Sequence, residues 1–430
     1  MIKVVDAIMG SGKSSAAIQY MKEHPNKKYI VVTPYVDETV RFQTSLPQLD
    51  IKTPDRLKRF NGNKSMHLDD LVENGNNIAM THRLFSLMTE STCHKVVLKK
   101  YTIFIDEAVD VFGEFSITDS DYHLITQSKF VIDTTTKYER ENDIESFAEN
   151  SEDKYTNGRF KDIFLQLRAH RFIGFSEPTK DGMRTACYWM MSRRMFEMAD
   201  EVYILTYMFD GSILKHYLDV LGIEYENIGV MKIEDKNGQF KYCFSSSEFV
   251  PEYVRRIKSL VTVIDNDRMN KIGGGNTALS KNWYIKHHSM KDEKEIKQLQ
   301  RNLINFFRYY GGNSNEKRMW AGFKNYQRCL YGRGYSSRAV ELNARATNEY
   351  ADVTSMAYCV NVFLSPQVKQ YFIRNGCQMD EDAYALSILV QWIWRSAIRN
   401  GKEITVYIPS KRMRKLFTDW LDRLQDGEQR

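Results

Sequence analysis

Short apolar runs alternate with amphipathic segments along the first half of the chain. The β-branched run at residues 2–8 predicts a buried strand, and "SAAIQYMKEH" predicts a helix that ends before Pro25. Further buried strands are predicted in the segments 27–35, 76–85, 101–112 and 201–212. Strands that alternate with helices predict an α/β fold in which parallel sheets are flanked by helices.

The second half of the chain carries longer amphipathic helices. The segment Asp380–Gly401 has an acidic start and an Asn-Gly stop, which predicts one continuous helix. A strand at 402–410 and a last helix at 412–424 follow, so we expect a second α/β domain. We place the domains at 1–210 and 211–430. A polar insertion is expected at about 134–160, as a mobile surface excursion, and a helical insertion at about 285–338.

Composition narrows the class of protein. The chain has 430 residues, of which 42% are hydrophobic, and its net charge of +6 tolerates a polyanionic partner without demonstrating one. None of its six cysteines forms a C-x-x-C pair, so reduced thiols are expected. Because no apolar run suits a signal peptide or a membrane span, we expect a cytoplasmic protein and no membrane partner.

A glycine-rich turn follows the first predicted strand. "AIMGSGKSS" fits the pattern [AG]-x-x-x-x-G-K-[ST] between a strand and a helix, which is the context of a phosphate-binding loop. Lys13 is expected to neutralise the β- and γ-phosphates of ATP, and the Ser14 hydroxyl to bind Mg²⁺. The residues expected to hold the nucleotide are Gly10, Ser11, Gly12, Lys13, Ser14 and Ser15.

An acidic pair ends the predicted strand of "YTIFIDEAVDVF". Downstream of a phosphate loop, this position suits the second half of an ATP site. Asp106 is expected to hold Mg²⁺ through water, and Glu107 to orient and deprotonate the attacking water.

A third set of candidate residues lies in the predicted Asp380–Gly401 helix. Gln391, Arg395 and Arg399 are spaced i, i+4 and i+8, which would place them on one helix face. Arginine binds phosphate oxygens in a bidentate manner, so an arginine finger is expected here, although the spacing does not decide between Arg395 and Arg399.

Taken in order, these segments resemble the motifs of superfamily 2 helicases of the DEAD/DEAH type, and those of small bacteriophage-encoded helicases. "AIMGSGKSS" is similar to motif I, "VVTPY" to motif Ia, "FIDEAVD" to motif II, "ILTYMFDGS" to motif III and "QWIWRSAIRNG" to motif VI. "AMTHRLF" resembles a nucleic-acid-contacting motif of the first domain, and residues 342–358 fall where motif V is expected, with Asn348 and Asp352 as candidates.

The resemblance implies two tandem RecA-like domains with ATP and Mg²⁺ in the cleft between them. It implies an ATP-dependent helicase or translocase that acts in phage replication, recombination or repair, in the host cytoplasm if the chain is phage-encoded. Binding should be independent of nucleic-acid sequence and weaken with salt, and DNA is favoured over RNA. The residues that the resemblance assigns to nucleic-acid contact are Thr33, Pro34, Thr81, His82, Thr206 and Asn348.

Other readings of the chain remain open. A terminase-like packaging ATPase also pairs a phosphate loop with an Asp-Glu strand, but its nuclease would need separated acidic residues in the second half. A protein that clamps nucleic acid under nucleotide control, without unwinding it, is a further alternative. The basic and aromatic segment 315–338 suits single-stranded nucleic acid, although a packed helix and loop is slightly favoured. The pair His287-His288 is expected to be an ordinary surface feature.

Overall fold

The computed structural model describes residues 1–115, 117–179, 182–234, 238–246, 249–289, 293–312, 314–342 and 348–425. The chain forms two compact units. The first unit consists of Met1–Ala7, Gly12–Glu248 and Ser365–Met379, and the second of Ile8–Ser11, Phe249–Leu364 and Asp380–Arg430.

The described strands run in chain order as β1 (Ile2–Asp6), β2 (Lys28–Thr33), β3 (Ile78–Thr81), β4 (Tyr101–Asp106), β5 (Phe112–Phe115), β6 (Val131–Asp133), β7 (Ile144–Glu149), β8 (His170–Thr179), β9 (Gly182–Met191), β10 (Glu201–Thr206), β11 (Tyr225–Glu234), β12 (Phe240–Ser245), β13 (Val261–Val263), β14 (Arg318–Ala321), β15 (Ser355–Tyr358) and β16 (Ile404–Tyr407).

The described α-helices are α1 (Lys13–Glu23), α2 (Val36–Ser45), α3 (Lys64–Glu73), α4 (His82–Ser86), α5 (Glu90–Lys99), α6 (Asp119–Thr126), α7 (Lys137–Glu141), α8 (Lys161–Leu167), α9 (Arg194–Glu197), α10 (Ile213–Val220), α11 (Glu252–Arg255), α12 (Ile257–Leu260), α13 (Asp267–Asn270), α14 (Lys281–His288), α15 (Lys294–Tyr309), α16 (Pro366–Arg374), α17 (Glu381–Ile393) and α18 (Lys411–Gln425).

The main sheet of the first unit has the strand order β12-β11-β1-β10-β4-β2-β3. Its strands are parallel except for β12, which pairs antiparallel with β11. The central strands are nearly continuously buried, as expected for a parallel sheet that is covered on both faces. Because β11 pairs with β1, this sheet continues beyond residue 210, where the sequence placed the domain boundary.

Between β4 and β10 the chain forms an antiparallel sheet with the order β5-β9-β8-β7-β6. The polar stretch at about 134–160 lies within it and contains α7 and β7. Phe147 of β7 packs in a hydrophobic cluster with Phe172 and Tyr122. The expected mobile excursion is therefore a folded sheet with its own core.

The second unit has a parallel sheet in the order β13-β16-β15-β14 among its described residues. Both units thus show the parallel, helix-flanked sheets expected of RecA-like domains, and the predicted α/β fold class is confirmed. The Asp380 carboxylate caps α17 by accepting hydrogen bonds from the backbone of Asp382 and Ala383.

The continuous helix predicted from Asp380 to Gly401 is wrong in its last third. The α-helix ends at Ile393, and residues Ala397–Asn400 form a separate 3₁₀ turn. Ser396 between them is extended, and the Ala397 N–H donates to Val353 O at 2.9 Å instead of continuing the helix ladder. The backbone after Ile393 thus engages a distant part of the chain, a contact that the local pattern does not show.

No helix in the described part of the chain combines the length and the apolar character that crossing a membrane requires.

Candidate functional site

Several predicted site residues lie at one edge of the main sheet of the first unit. In the parallel register Asp6 pairs with Thr206, Leu205 with Asp106, and Thr33 with Thr81. These positions stand at the carboxyl ends of their strands, where ligands bind in open parallel α/β sheets. Strand β10 lies between β1, which leads into the phosphate loop, and β4, which carries the acidic pair.

The glycines of the phosphate loop adopt backbone conformations that favour glycine. Gly10 has φ 83° and Gly12 has φ 93°, both in the left-handed region. Gly12 caps α1 directly before Lys13. A Cβ at Gly12 would also lie only 2.2 Å from Cδ1 of Tyr242. Residue 12 therefore requires glycine for two independent reasons.

Lys13, Ser14 and Asp106 come together at the start of α1. The Ser14 hydroxyl lies 3.2 Å from each carboxylate oxygen of Asp106. The Lys13 ammonium donates a hydrogen bond to the carbonyl of Ala7. Burial raises the pKa of Asp106, while the charges of Lys13 and Arg41 and the Ser14 hydroxyl act in the opposite direction. A carboxylate beside a serine hydroxyl offers the oxygen ligands that Mg²⁺ prefers.

Glu107 follows Asp106 in a strained backbone conformation. Its φ of 63° lies in the left-handed region, where non-glycine residues are uncommon and concentrate at functional sites. The Glu107 N–H donates to Leu205 O at 2.9 Å, which fixes the turn against the end of β10. The side chain is partly exposed. Asp106 lies against the Ser14 hydroxyl, whereas Glu107 follows in a left-handed turn, so the two adjacent carboxylates suit different roles.

Two residues at this edge have contacts that the sequence did not indicate. A carboxylate oxygen of Asp6 accepts a hydrogen bond from Phe209 N at 3.0 Å, and burial raises the pKa of Asp6. His82 is buried, and its Nε2 lies 2.8 Å from the backbone oxygen of Asp106. Asp6 thus links the strand before the phosphate loop to the turn after β10. Its only sequence signal is a charged residue at the end of an apolar strand.

The remaining residues expected to contact nucleic acid occupy varied environments. Thr33 and Thr206 are buried, Pro34 and Thr81 are partly exposed, and the Thr81 hydroxyl caps α4. Asn348 begins a 3₁₀ turn, and its side chain lies outside the described residues, as do residues 343–347 of the expected motif V.

In the second unit, the interruption after Ile393 separates the residues of the expected motif VI. Gln391 belongs to α17, Arg395 to the connection and Arg399 to the 3₁₀ turn. The predicted alignment of all three on one helix face is therefore wrong. Arg395 is buried, with electrostatic interactions to Tyr350 and Tyr358, whereas Gln391 and Arg399 are partly exposed.

The basic and aromatic segment 315–338 is largely packed. Trp320 and Tyr335 belong to the core of the second unit, and the Trp320 indole donates to Tyr335 O at 2.9 Å. Tyr331 is exposed. The packed reading that the sequence favoured is confirmed for Trp320 and Tyr335.

Comparison with known proteins adds a family relationship. A family model described as the YonV C-terminal Rossmann-like domain matches residues 255–421. The SPbeta prophage-derived uncharacterized protein YonV of Bacillus subtilis (strain 168) is 33% identical over 425 residues, which span 98% of each chain.

Solved structures give weaker similarities. The alignment with the structure of S. tokodaii Xpd4 covers 97% of this chain and 93% of the Xpd4 chain, with 11% identity and a TM-score of 0.44. The alignment with the DUF1998 helicase MrfA bound to DNA covers 95% of this chain and 46% of the MrfA chain, with 11% identity and a TM-score of 0.31.

Proposed function

We propose that this chain, which belongs to the YonV family, is a nucleic-acid-dependent ATPase of the superfamily 2 helicase type. One observation carries the proposal: Lys13 and Ser14 begin a helix after a glycine turn, and the Ser14 hydroxyl lies 3.2 Å from both oxygens of Asp106. A phosphate loop beside a carboxylate at the end of a neighbouring strand is the arrangement that nucleotide hydrolysis requires.

The phosphate loop, the start of α1 and the end of β4 would supply the residues that hold the nucleotide. Backbone N–H groups of the loop and the start of α1 would bind phosphate oxygens. Lys13 would exchange its hydrogen bond to Ala7 O for the β- and γ-phosphates of ATP. Ser14 and Asp106 would hold Mg²⁺, which supplies charge neutralisation at the phosphates when bound.

Glu107 would activate the attacking water. Its backbone is fixed to Leu205 O, so its carboxylate extends from a rigid turn at the end of β4. A general base positioned in this way typically contributes about 10²–10⁴-fold to the rate. Asp6 would couple this edge to the turn after β10 through its hydrogen bond with Phe209 N.

Gln391 and the two arginines of the second unit are proposed to complete the catalytic set, on the strength of the motif resemblance. Because Arg395 is buried and Arg399 is partly exposed, substituting each one should separate a loss of stability from a loss of hydrolysis. Arg395→Ala should lower both the melting temperature and hydrolysis. Loss of hydrolysis in Arg399→Ala with an unchanged melting temperature would identify Arg399 as the arginine finger.

The proposed partner is DNA, bound largely through its phosphates. Thr33, Pro34, Thr81, His82, Thr206 and Asn348 remain the proposed contacts. Backbone contacts make binding independent of sequence, and its affinity should fall steeply with salt concentration. The family relative is described as prophage-derived, which agrees with a role in phage replication, recombination or repair.

The test is ATP turnover by the full chain, alone and with single-stranded DNA, forked duplex DNA or RNA. We expect strong stimulation by DNA and its loss in Lys13→Ala. Stimulation by forked DNA together with ATP-dependent strand separation would identify a helicase. Hydrolysis that no nucleic acid alters would reject the helicase type. Stimulation by duplex DNA accompanied by DNA cleavage would favour the terminase-like alternative.

A further inference from the structure

Residues Ser365–Met379 belong to the first unit, although they lie in sequence between β15 and α17 of the second. Helix α16 occupies most of this segment, and Cys377 follows it. The Sγ atom of Cys377 lies 3.3 Å from Nδ1 of His216 in α10, a residue 161 positions earlier in the chain. The fold thus brings together two metal-binding residue types that no local sequence motif connects.

A third ligand type completes the group. Asp219 lies one helical turn after His216 in α10, and single ligand atoms of His216, Asp219 and Cys377 lie within 4.8 Å of one another. Two ligands of a tetrahedral zinc ion lie about 3.4–3.6 Å apart, given Zn–S of about 2.3 Å and Zn–N or Zn–O of about 2.0–2.1 Å. The three residues therefore need only small side-chain movements to bind one ion.

We propose that His216, Asp219 and Cys377 form a zinc site with water as the fourth ligand. A thiolate, an imidazole and a carboxylate are the ligand types that Zn²⁺ accepts. When the Zn–S bond forms, the Cys377 thiol releases its proton to solvent. The ion would clip the segment Ser365–Met379 to α10, the helix that follows β10. This proposal does not depend on nucleotide hydrolysis.

Two neighbours contact the Asp219 carboxylate: one orients it for metal binding, and the other competes with the metal ion for it. The Tyr225 hydroxyl donates to Oδ1 of Asp219 at 3.2 Å, an outer-shell contact of the kind that orients metal ligands. The Lys215 ammonium lies 2.6 Å from Oδ2 and must give way or share the carboxylate. Tyr225→Phe should therefore weaken metal binding about 10–100-fold, and Lys215→Ala should strengthen it.

One other group of this kind occurs among the residues that the structure describes: His288, Glu293 and Cys329. There, His288 has a side chain that is 46% exposed, and its Nδ1 lies 2.6 Å from Glu293. His216 is buried, at 5% exposure, and anchors a segment from a distant part of the chain. The second group therefore serves as the internal comparison.

The experiment uses Co²⁺ as a spectroscopic substitute for zinc, titrated into the purified, metal-stripped full chain. We expect one equivalent of Co²⁺ to give a thiolate-to-metal charge-transfer band. The band should disappear in Cys377→Ser, and His216→Asn should lower affinity at least tenfold. Cys243→Ser, which changes another partly buried cysteine of the first unit, should leave the band intact. Circular dichroism of each variant checks that it folds.

Two results would overturn the proposal. They are the absence of a band in the wild-type chain and a band that persists in folded Cys377→Ser. If the persisting band is lost in Cys329→Ser, the other cluster binds the ion.

Discussion

Replacing Gly12 with alanine tests how tightly the phosphate loop is built. Alanine at φ 93° should cost about 1–2 kcal/mol, because an L side chain is strained in the left-handed region. Its Cβ would also lie 2.2 Å from Cδ1 of Tyr242, which must move. Forcing the tyrosine off its rotamer adds about 0.5–1.5 kcal/mol. The expected total is about 1.5–3.5 kcal/mol.

Gly62→Ala is the matched control. Gly62 has φ 71° and also precedes a helix, α3, but nothing lies within 4 Å of the Cβ that alanine would add. Its substitution should cost only the backbone component, about 1–2 kcal/mol. Hydrogen exchange measures the free energy of local opening, so amides of α1 and α3 report the two effects separately.

The contribution of Tyr242 can be isolated with a double-mutant cycle. In a Tyr242→Ala background, Gly12→Ala should lose the contact component and keep the backbone component, giving a coupling of about 0.5–1.5 kcal/mol. Equal losses of stability in Gly12→Ala and Gly62→Ala would show that Tyr242 does not restrict residue 12. Additive effects of Gly12→Ala and Tyr242→Ala would show the same.

Three further predictions concern other parts of the molecule. Burial lowers the pKa of His170 from 6.5 to about 4. The stability that this residue contributes above pH 6.5 should therefore be lost as the pH falls towards 4, by up to about 3 kcal/mol. In unfolding experiments at a series of pH values, His170→Gln should flatten this dependence. The Arg412 guanidinium donates hydrogen bonds to the Asp382 carboxylate, to Asn361 Oδ1 and to the backbone oxygens of Val362 and Glu381. Because lysine cannot make this set of contacts, Arg412→Lys should lower the free energy of unfolding by about 1–3 kcal/mol in denaturant unfolding. The control, Arg423→Lys at an exposed position, should leave it unchanged. Glu107→Gln should lower ATP turnover about 10²–10⁴-fold while nucleotide binding, measured by calorimetry, persists; equal loss of binding would contradict its role as a base.

Local patterns were sufficient to predict much of the first unit. The strands that end at Asp6, Thr33, Thr81, Asp106 and Thr206 are short, apolar and bounded by turn residues, and the structure confirms each of them. The phosphate loop was recognisable because its glycines, lysine and serine are adjacent in sequence.

Features that depend on distant contacts could not be read from the sequence. The α-helix ends at Ile393, and Ala397 N bonds to the distant Val353 O, so the spacing of the arginines suggested a common face that does not exist. The contact of Asp6 with Phe209 N spans 203 positions. Likewise, no periodicity indicates that Ser365–Met379 joins the first unit, or that Tyr242 lies against Gly12.

The central claim is that the lysine of the phosphate loop supports nucleic-acid-stimulated ATP hydrolysis. The most direct measurement is the steady-state rate of ATP hydrolysis with and without single-stranded DNA, for the wild-type chain, Lys13→Ala and Lys22→Ala. Lys22 is an exposed lysine of the same helix and controls for the loss of a positive charge. We predict stimulation in the wild type and in Lys22→Ala, and none in Lys13→Ala. Stimulation that survives in Lys13→Ala, or is equally reduced in both variants, would contradict it.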